Sequence, residues 1–453
     1  MNPRLILINP WIYDFAAFDL WSKPLGLLYI AGYLRKLGFQ IHLIDCLSVD
    51  HPGMKSDRFT TLPRRQSFGT GKFWRKEVPK PPALRHIQRP FSRYGISRKL
   101  FIRELESIEN PGAILVTSLM TYWYLGVKEV ISLAKKIHPG VPVLLGGLYT
   151  NLCRDHALTF SGADRVIGES GISAMDSLLG ALGQEGFAGG EDRPDAGNLP
   201  YPAFDLLHGL TYVCLLTSTG CPYRCRYCAS FFLNPGLSKR EPSHVLEEIL
   251  HWHHQYKIRD FAFYDDALLV GFDDHLAVIL EALVKLNLKL RFHTPNALHL
   301  REITPEIAEL LRLSGFQTIR LGLETSDMGR HDAMDNKVSE GEFERALSHL
   351  HRAGFTKGEI GAYILMGLPG QSLDSVLKTI EYVGHSGAMP YLAEYSPIPH
   401  TPMWEMAVEH SEYDLSSEPL FQNNTLLPCW DKTQRAKVPD LKKRVQGLRQ
   451  KKD

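Results

Sequence analysis

The stretch from Val213 to Cys228 reads VCLLTSTGCPYRCRYC and joins an apolar run to three closely spaced cysteines. Residues 213–217 have the character of a short strand that is buried on both faces. The loop that follows carries Cys221, Cys225 and Cys228 in a CxxxCxxC pattern. Because this strand is the first of a series, the repeats that follow it decide the fold.

Six strand–helix repeats can be read from this strand towards the C-terminus. The strands are predicted near residues 213–217, 260–264, 289–293, 318–323, 359–365 and 392–396. Helices are predicted between them at 242–256, 273–286, 305–313, 339–353 and 372–386. Six units with short connections predict a partial (β/α)6 TIM-like barrel over residues 212–410. Residues 411–453 are predicted to be a C-terminal extension that ends in a surface helix or a loose tail.

Strands and helices also alternate before the barrel, which predicts an α/β domain over residues 1–185. Its strands are expected at 4–9, 40–44, 113–117 and 141–145, with helices at 24–37 and 126–137. This alternation predicts a doubly wound, Rossmann-like parallel sheet with helices on both faces. Ligands of such sheets bind at the carboxyl ends of the strands. Residues 186–211 are expected to be a linker, because the stretch begins rich in Gly, Pro, Asp and Glu.

Composition excludes several classes of protein. The 453 residues include 51 Lys and Arg against 50 Asp and Glu, so a formal charge of +1 does not point to nucleic acid or an anionic membrane. No apolar stretch approaches the roughly 18 residues of a membrane span, and the N-terminus turns polar too soon for a signal peptide. Seven sparse cysteines are not a disulfide scaffold, so a cytoplasmic location is expected.

A basic insertion interrupts the first domain around residues 55–103. It contains fourteen Lys and Arg but only two acidic residues, Asp57 and Glu77. Two interpretations are open, a solvated insertion that wraps the domain or a patch for a phosphate-bearing ligand or acidic partner.

Three thiolates on one short loop can converge on one metal centre, and soft sulfur selects iron–sulfur clusters or zinc. A structural zinc site needs a fourth ligand. His244 and the histidines at 251, 253 and 254 are the nearest candidates, and none has the short spacing of a zinc finger. Three ligands without an evident fourth favour a four-iron cluster with one open iron.

The segment Gly220–Cys228 resembles the signature of the radical S-adenosylmethionine (SAM) superfamily. The resemblance implies that Cys221, Cys225 and Cys228 hold a [4Fe–4S] cluster whose open iron binds SAM. An electron from a donor such as flavodoxin or ferredoxin would then cleave SAM and release a 5′-deoxyadenosyl radical. Tyr227 matches the aromatic residue that the family places near the adenine.

The same resemblance implies SAM contacts at the ends of the later strands. Asp265 and Asp266 stand where the family has Gly-Gly-Glu, and a carboxylate suits the ammonium group of SAM. Asn296 would meet the ribose hydroxyls, and Glu324 or Arg320 would face the amino-acid portion of SAM.

Two further motifs extend the resemblance. The segment ILMGLPG at 364–370 resembles the fifth-strand motif, which implies that the backbone at Leu365 packs on the adenine. In the first domain, Thr117-Ser118-Leu119 and, 26 residues later, Gly146-Gly147 resemble the S-x-L…G-G half of a cobalamin-binding signature. Thr117, Leu119, Gly146 and Gly147 would then contact cobalamin, because glycines let a bulky ligand approach the backbone.

The other half of that signature, D-x-H-x-x-G, is incomplete. Asp45 is kept, but Leu47 replaces the histidine and Asp50 replaces the glycine. The departure implies cobalamin bound without histidine ligation, or a domain that keeps the fold and has lost the cofactor.

These resemblances imply a cobalamin-binding radical SAM enzyme, with methyl transfer to an unactivated carbon of a small-molecule or peptide substrate as one possible reaction. Two alternatives stay open: a radical SAM oxidoreductase or cyclase with a vestigial cobalamin domain, and a non-catalytic cofactor sensor. A nucleic-acid partner is not expected, because no recognisable RNA-binding module follows the barrel.

Overall fold

The structure is a computed structural model that describes residues 4–55, 63–183, 200–334 and 336–450. The chain divides into two compact units. The first unit comprises Met1–Thr211 together with Ser417–Leu420, and the second comprises Tyr212–Ser416 together with Phe421–Asp453. The short segment Ser417–Leu420 is attached within the first unit, where Glu418 accepts a hydrogen bond from the Tyr124 hydroxyl at 3.1 Å.

Five parallel strands form the central sheet of the first unit. They are β1 (Arg4–Asn9), β4 (Gln40–Asp45), β8 (Pro111–Val116), β9 (Val143–Leu145) and β10 (Arg165–Val166). Their order is β10-β9-β8-β1-β4, so strand addition reverses between β1 and β8. Such a switch point leaves a crevice at the carboxyl ends of the strands. The prediction of a doubly wound parallel sheet is confirmed.

Six helices accompany this sheet. They are α1 (Leu25–Lys36), α2 (Arg98–Glu106), α3 (Tyr124–Ile137), α4 (Leu148–Leu152), α5 (Arg154–Phe160) and α6 (Gly171–Ala181). The buried side chains of Leu5 and Leu7 in β1 belong to one core cluster with Leu27 and Leu34 of α1. Helical spacing of apolar residues therefore placed α1 and α3 within two residues of their observed ends. Residues 184–199, which include much of the predicted linker, lie outside the described residues.

The basic insertion contributes strands of its own, apart from residues 56–62, which lie outside the described ranges. The strands of the insertion are β5 (Gly71–Lys72), β6 (Arg75–Glu77) and β7 (Ser92–Tyr94), and the segment after β1 supplies β2 (Ile12–Asp14) and β3 (Phe18–Asp19). They form an antiparallel sheet of order β2-β7-β6 and a β3-β5 pair. The insertion is thus hydrogen-bonded to the segment that directly follows β1.

Six parallel strands form the main sheet of the second unit. They are β11 (Tyr212–Leu215), β14 (Asp260–Phe263), β15 (Arg291–His293), β16 (Phe316–Glu324), β17 (Ile360–Met366) and β18 (Met389–Glu394). They pair in sequential order from β11 to β18. A short antiparallel pair, β12 (Ser218–Thr219) and β13 (Ser238–Lys239), flanks the loop after β11. The prediction of a partial (β/α)6 barrel is confirmed.

The five helices predicted between the barrel strands are present in the second unit, and further helices accompany them. Together they are α7 (Ser230–Leu233), α8 (Pro242–Tyr256), α9 (Leu276–Lys285), α10 (Pro305–Ser314), α11 (Met328–Met334), α12 (Glu342–Arg352), α13 (Leu373–His385), α14 (Trp404–His410) and α15 (Lys432–Gln450). The Thr304 and Ser372 side chains cap the N-termini of α10 and α13, as hydroxyl residues commonly do. No described helix is both long and apolar enough to cross a membrane.

The basic C-terminal segment is a docked helix. In α15, Val438, Leu441, Val445 and Leu448 are buried at helical spacing. The helix packs on α13 and β18. Of the two predicted forms of this segment, a surface helix and a loose tail, the structure therefore has the helix.

Candidate functional site

The cysteine loop begins directly after β11 and β12, at the carboxyl end of the first barrel strand. Gly220 opens it with φ +80°, and a Cβ at this position would lie 1.7 Å from the carbonyl oxygen of Gly236. Only glycine tolerates both conditions. Cys225 is 8% exposed, while Cys221 and Cys228 are half-buried. The backbone N–H of Cys228 donates to the Cys225 carbonyl at 3.0 Å, which gives the loop a tight turn.

The three cysteine thiols lie on one loop but are not gathered closely enough to hold a metal ion. Within the described ranges, no three His, Cys, Asp or Glu side chains are gathered closely enough to hold a metal ion. Burial raises the pKa of the Cys221 thiol, and the neighbouring Asp266 and Cys228 raise it further. The Cys228 sulfur accepts a hydrogen bond from the Ser230 N–H at 3.4 Å. The donor set, three thiols and no histidine, has the chemistry that an iron–sulfur cluster requires.

The two aspartates that follow β14 have different surroundings. Asp265 is 2% exposed, and its carboxylate accepts hydrogen bonds from the backbone N–H groups and the hydroxyls of Thr217 and Ser218 at 2.6–3.2 Å. Asp266 is half-buried and close enough to Cys221 to affect the pKa of its thiol. Asp265 therefore ties β14 to the start of the cysteine loop. Of the predicted pair, Asp266 has the better placement for a cofactor contact.

Asn296 lies after β15 and is exposed. Its side-chain Nδ2 donates to the Tyr264 carbonyl at 2.8 Å. The amide therefore bridges the carboxyl ends of β14 and β15, next to the Asp265–Asp266 pair. The predicted contact between Asn296 and a ribose remains a prediction.

Glu324 ends β16 and forms a buried ion pair that sequence reasoning missed. Its Oε1 lies 3.2 Å from Nζ of Lys337, and each side chain is 8% exposed. Glu324 has φ +64°, an uncommon backbone conformation for a non-glycine residue and one that often occurs at functional sites. A Cβ at Gly322 would lie 2.5 Å from the Lys337 Nζ, so the glycine leaves room for the pair. The two residues lie thirteen positions apart, and this spacing gives no sign in the sequence that they are in contact.

Leu365 and Tyr227, both predicted to lie near the adenine, meet in one apolar cluster. Leu365 is 8% exposed in this cluster, and Tyr227 packs against it while partly buried. Gln371, which was not expected, donates to the Leu365 carbonyl at 2.9 Å and accepts from the N–H groups of Gly367 and Leu368. The Gln371 side chain thus holds the turn after β17 in shape.

In the first unit, the predicted cobalamin residues follow β8 and β9 at the carboxyl edge of the sheet. The Ser118 hydroxyl donates to the Gly146 carbonyl at 2.8 Å, which joins the two loops. Gly147 has φ +104°, and a Cβ there would lie 2.2 Å from the Ser118 carbonyl oxygen. Thr117 and Leu119 are half-buried beside Ser118. The close approach of the loops that follow β8 and β9 therefore requires a glycine at Gly147.

Gly146 differs from its neighbour because a Cβ at this position would meet no heavy atom within 4 Å. The backbone at Gly146 thus faces open space at the end of β9. A surface of bare backbone beside open space is what a bulky cofactor needs for close approach. The residues present fit a corrinoid at this edge.

Leu47 occupies the position where the cobalamin signature has its histidine. It is 5% exposed in a cluster with Ile12, Ala17, Phe73 and Tyr94, so the basic insertion helps to bury it. Asp45 accepts hydrogen bonds from Asn9 Nδ2 at 2.7 Å and from the Leu47 N–H at 3.0 Å. The residue at the histidine position is thus a core residue.

A Leu47→His variant tests this assignment. We expect it to lower the free energy of unfolding by about 2–4 kcal/mol, because an imidazole would lose its hydrogen bonds to water in an apolar cluster. Thermal unfolding measures the loss, and Leu47→Met, which conserves volume, is the control. A stable Leu47→His protein whose Co(II) spectrum showed coupling to a protein nitrogen would contradict the assignment.

Several basic side chains of the insertion have structural contacts. Arg65 pairs with Asp19 at 2.6 Å, and the guanidinium of the buried Arg93 lies 5.0 Å from the centre of the Trp11 ring. Lys72 and Arg75 are exposed. The contacts of Arg65 and Arg93 favour the interpretation as an insertion that wraps the domain.

Comparison with known proteins agrees with this arrangement. Residues 215–383 match the Radical SAM superfamily. The chain is 20% identical over 449 residues to the cytidylyl-2-hydroxyethylphosphonate methyltransferase of Streptomyces wedmorensis, covering 85% of this chain and 77% of that protein. It is 26% identical over 283 residues to the hopanoid C-2 methylase of Rhodopseudomonas palustris, covering 58% of this chain and 52% of that protein.

Among solved structures, the radical SAM methyltransferase TsrM from Kitasatospora setae has a similar fold. Its complex with tryptophan and a SAM analogue superposes with a TM-score of 0.66 at 15% identity, covering 99% of this chain and 89% of that chain. A second TsrM structure, with cobalamin and a [4Fe–4S] cluster, gives a TM-score of 0.63 at 16% identity, covering 91% of this chain and 76% of that chain. Residues 215–383 therefore form a radical SAM domain, and the chain as a whole shares the fold of these two structures.

Proposed function

We propose that this protein is a cobalamin-dependent radical SAM methyltransferase that acts on a small molecule. The single observation that carries the proposal is the loop of three cysteines at the carboxyl end of β11 in a six-stranded partial barrel. When bound, a [4Fe–4S] cluster supplies the electron that cleaves SAM, and cobalamin supplies a carrier for the methyl group. The remaining work falls to side chains of this chain.

Cys221, Cys225 and Cys228 would hold the cluster in this proposal. Asp266 would accept a hydrogen bond from the SAM ammonium group, since its half-buried carboxylate lies near the Cys221 thiol. Tyr227 and Leu365, which share an apolar cluster, would pack on the adenine. Asn296 and Glu324 would complete the site from the ends of β15 and β16.

Cobalamin would bind at the carboxyl edge of the first unit, where Gly146 faces open space and Gly147 is packed against Ser118. Thr117 and Leu119 border the same edge. Because Leu47 is buried in an apolar cluster, this position would supply no histidine to cobalamin.

The relatives support a small-molecule substrate and methyl transfer. The names of both curated relatives describe methylation, and one TsrM structure contains tryptophan as its substrate. An electron donor such as flavodoxin or ferredoxin would deliver the electron. The target is proposed to be an unactivated carbon.

Anaerobic reconstitution of the full chain tests the proposal. We expect about four irons and four sulfides per chain, as a [4Fe–4S] cluster requires, together with stoichiometric corrinoid. With substrate, a methylated product and S-adenosylhomocysteine should form. Zinc without sulfide would overturn the cluster. Iron without corrinoid, or 5′-deoxyadenosine without a methylated product, would instead support an oxidoreductase or cyclase with a vestigial first domain.

Gly146→Val tests the cobalamin edge directly. The new side chain would fill open space without strain in the protein, but we expect corrinoid affinity to fall about tenfold or more because the ligand would be crowded. Equilibrium dialysis with hydroxocobalamin measures it.

The matched control is Gly26→Val in α1, where a Cβ also meets nothing within 4 Å. Both variants should unfold at the wild-type temperature, and only Gly146→Val should lose corrinoid. Equal corrinoid binding by the two variants would rule out this edge as the binding site.

A further inference from the structure

Two arginines of the second unit, Arg320 in β16 and Arg449 in α15, share one aromatic ring. The Arg320 guanidinium carbon lies 4.4 Å from the centre of the Tyr391 ring, and that of Arg449 lies 3.7 Å from it. Both arginines are half-buried. Two positive charges therefore lie beside one tyrosine ring, and a negatively charged group is expected to balance them.

Neither arginine pairs with a carboxylate in the part of the chain that the structure describes. Arg320 donates to the Ile319 carbonyl at 2.9 Å and to the Tyr391 hydroxyl at 3.3 Å. Arg449 donates through Nε to the Pro390 carbonyl at 2.9 Å. A guanidinium has five N–H donors, so most of them have no described acceptor.

One acidic side chain of the same sheet, Asp260, is already engaged. Asp260 in β14 bonds to Arg291 Nε at 2.7 Å and lies 3.2 Å from Nε2 of the buried His293. Burial lowers the pKa of the Arg449 guanidinium, and the positive charge of Arg320 lowers it further. The two guanidiniums therefore repel each other, and a bound anion would relieve that repulsion.

A glycine on the strand between Arg320 and Tyr391 leaves room for the arginines to stack on the tyrosine ring. Gly361 in β17 stands between the strands of Arg320 and Tyr391, and a Cβ there would lie 2.6 Å from the tyrosine ring. Arg320 lies four residues before Glu324 in β16, a rise of about 13 Å in a regular strand, and a register shift between Gly322 and Glu324 interrupts the pairing with β17. Arg320 is therefore set back along β16 from Glu324, the residue of this strand that the proposed SAM site uses.

We propose that Arg320 and Arg449 form an oxyanion site that binds a phosphate or carboxylate group. Planar guanidiniums with free N–H pairs match such groups in a bidentate manner. Because Arg449 belongs to α15, a bound anion ties the C-terminal helix to the barrel strands. The site is independent of the cluster and of cobalamin.

Calorimetry on the full chain, with phosphate or acetate replacing chloride at constant ionic strength, tests the site. We expect saturable binding of at least one of these two probes, and the tighter of them identifies the oxyanion class. Arg320→Gln and Arg449→Gln should each weaken binding about tenfold or more, because each removes charge-assisted hydrogen bonds. Arg449→Lys keeps the positive charge but loses the planar pair of N–H donors. Its affinity for the anion should therefore lie between those of the wild type and Arg449→Gln.

The control is Arg444→Gln in the same helix, since Arg444 pairs with Glu381 through Nη2 at 2.6 Å and should not affect the anion. If a glutamine variant fails to fold, amide hydrogen exchange of the wild-type protein decides, with slower exchange expected in α15 and at the start of β18. Absence of saturable binding, wild-type affinity in both glutamine variants, or no protection of α15 would each overturn the site.

Discussion

Replacing Cys225 with alanine is expected to remove iron and sulfide from the reconstituted protein and to lower SAM cleavage by on the order of 10²-fold or more. Cys225 is 8% exposed and lies between the other two cysteines of the loop, so its removal leaves the loop with two thiols. Iron and sulfide analysis, the absorbance of the cluster and the release of 5′-deoxyadenosine measure the effect. Cys221→Ala and Cys228→Ala should behave alike.

The matched control is Cys153→Ala, which removes a half-buried cysteine between α4 and α5 of the first unit. This variant should retain wild-type iron, sulfide and SAM cleavage. A full complement of iron and sulfide in Cys225→Ala would show that the CxxxCxxC loop does not hold the cluster.

The second large effect is expected from Asp265→Ala, and it concerns stability. The substitution would leave four buried donors without their acceptor. They are the backbone N–H groups and the hydroxyls of Thr217 and Ser218. We expect a loss of about 4 kcal/mol in the free energy of unfolding, because unsatisfied buried donors cost about 1–3 kcal/mol each and some will reach water. For a unit of this size that corresponds to a Tm lower by roughly 10 °C.

Two conservative variants separate this role from a role in SAM binding. Asp265→Asn keeps one acceptor oxygen and should be destabilised less than Asp265→Ala. Asp266→Asn should unfold near the wild-type temperature yet bind SAM more weakly. If Asp265→Ala were as stable as the wild type while losing SAM affinity, Asp265 would be the cofactor ligand and the roles of the pair would be exchanged.

The fold could be predicted from the sequence because both units repeat simple apolar patterns. The predicted helix at 242–256 coincides with α8, and the strand predicted at 4–9 coincides with β1. Each pattern is local, since it depends on which side chains of one segment face the core. The short strands β6 and β7 escaped prediction because β7 pairs with the distant strand β2 and β6 pairs with β7.

The site was predictable where its chemistry is local and not where it depends on folding. The spacing of the three cysteines is visible in the sequence, so the loop could be identified. Asp265 and Asp266 are the same residue type, and the hydrogen bonds from Thr217 and Ser218, 48 and 47 residues earlier, give Asp265 its different surroundings. Lys337 and Gln371 have no such pattern, because each acts through a contact that the fold creates.

The assignment of Ser417–Leu420 to the first unit has a practical consequence for dissecting this enzyme. A cut after residue 211 would not yield two self-sufficient domains, because Glu418 would remain on the C-terminal fragment while Tyr124 stayed on the other. Fragments made this way would be partners for complementation, each lacking part of its native surroundings. Biochemistry on either half is therefore better done by substitution in the intact chain than by truncation.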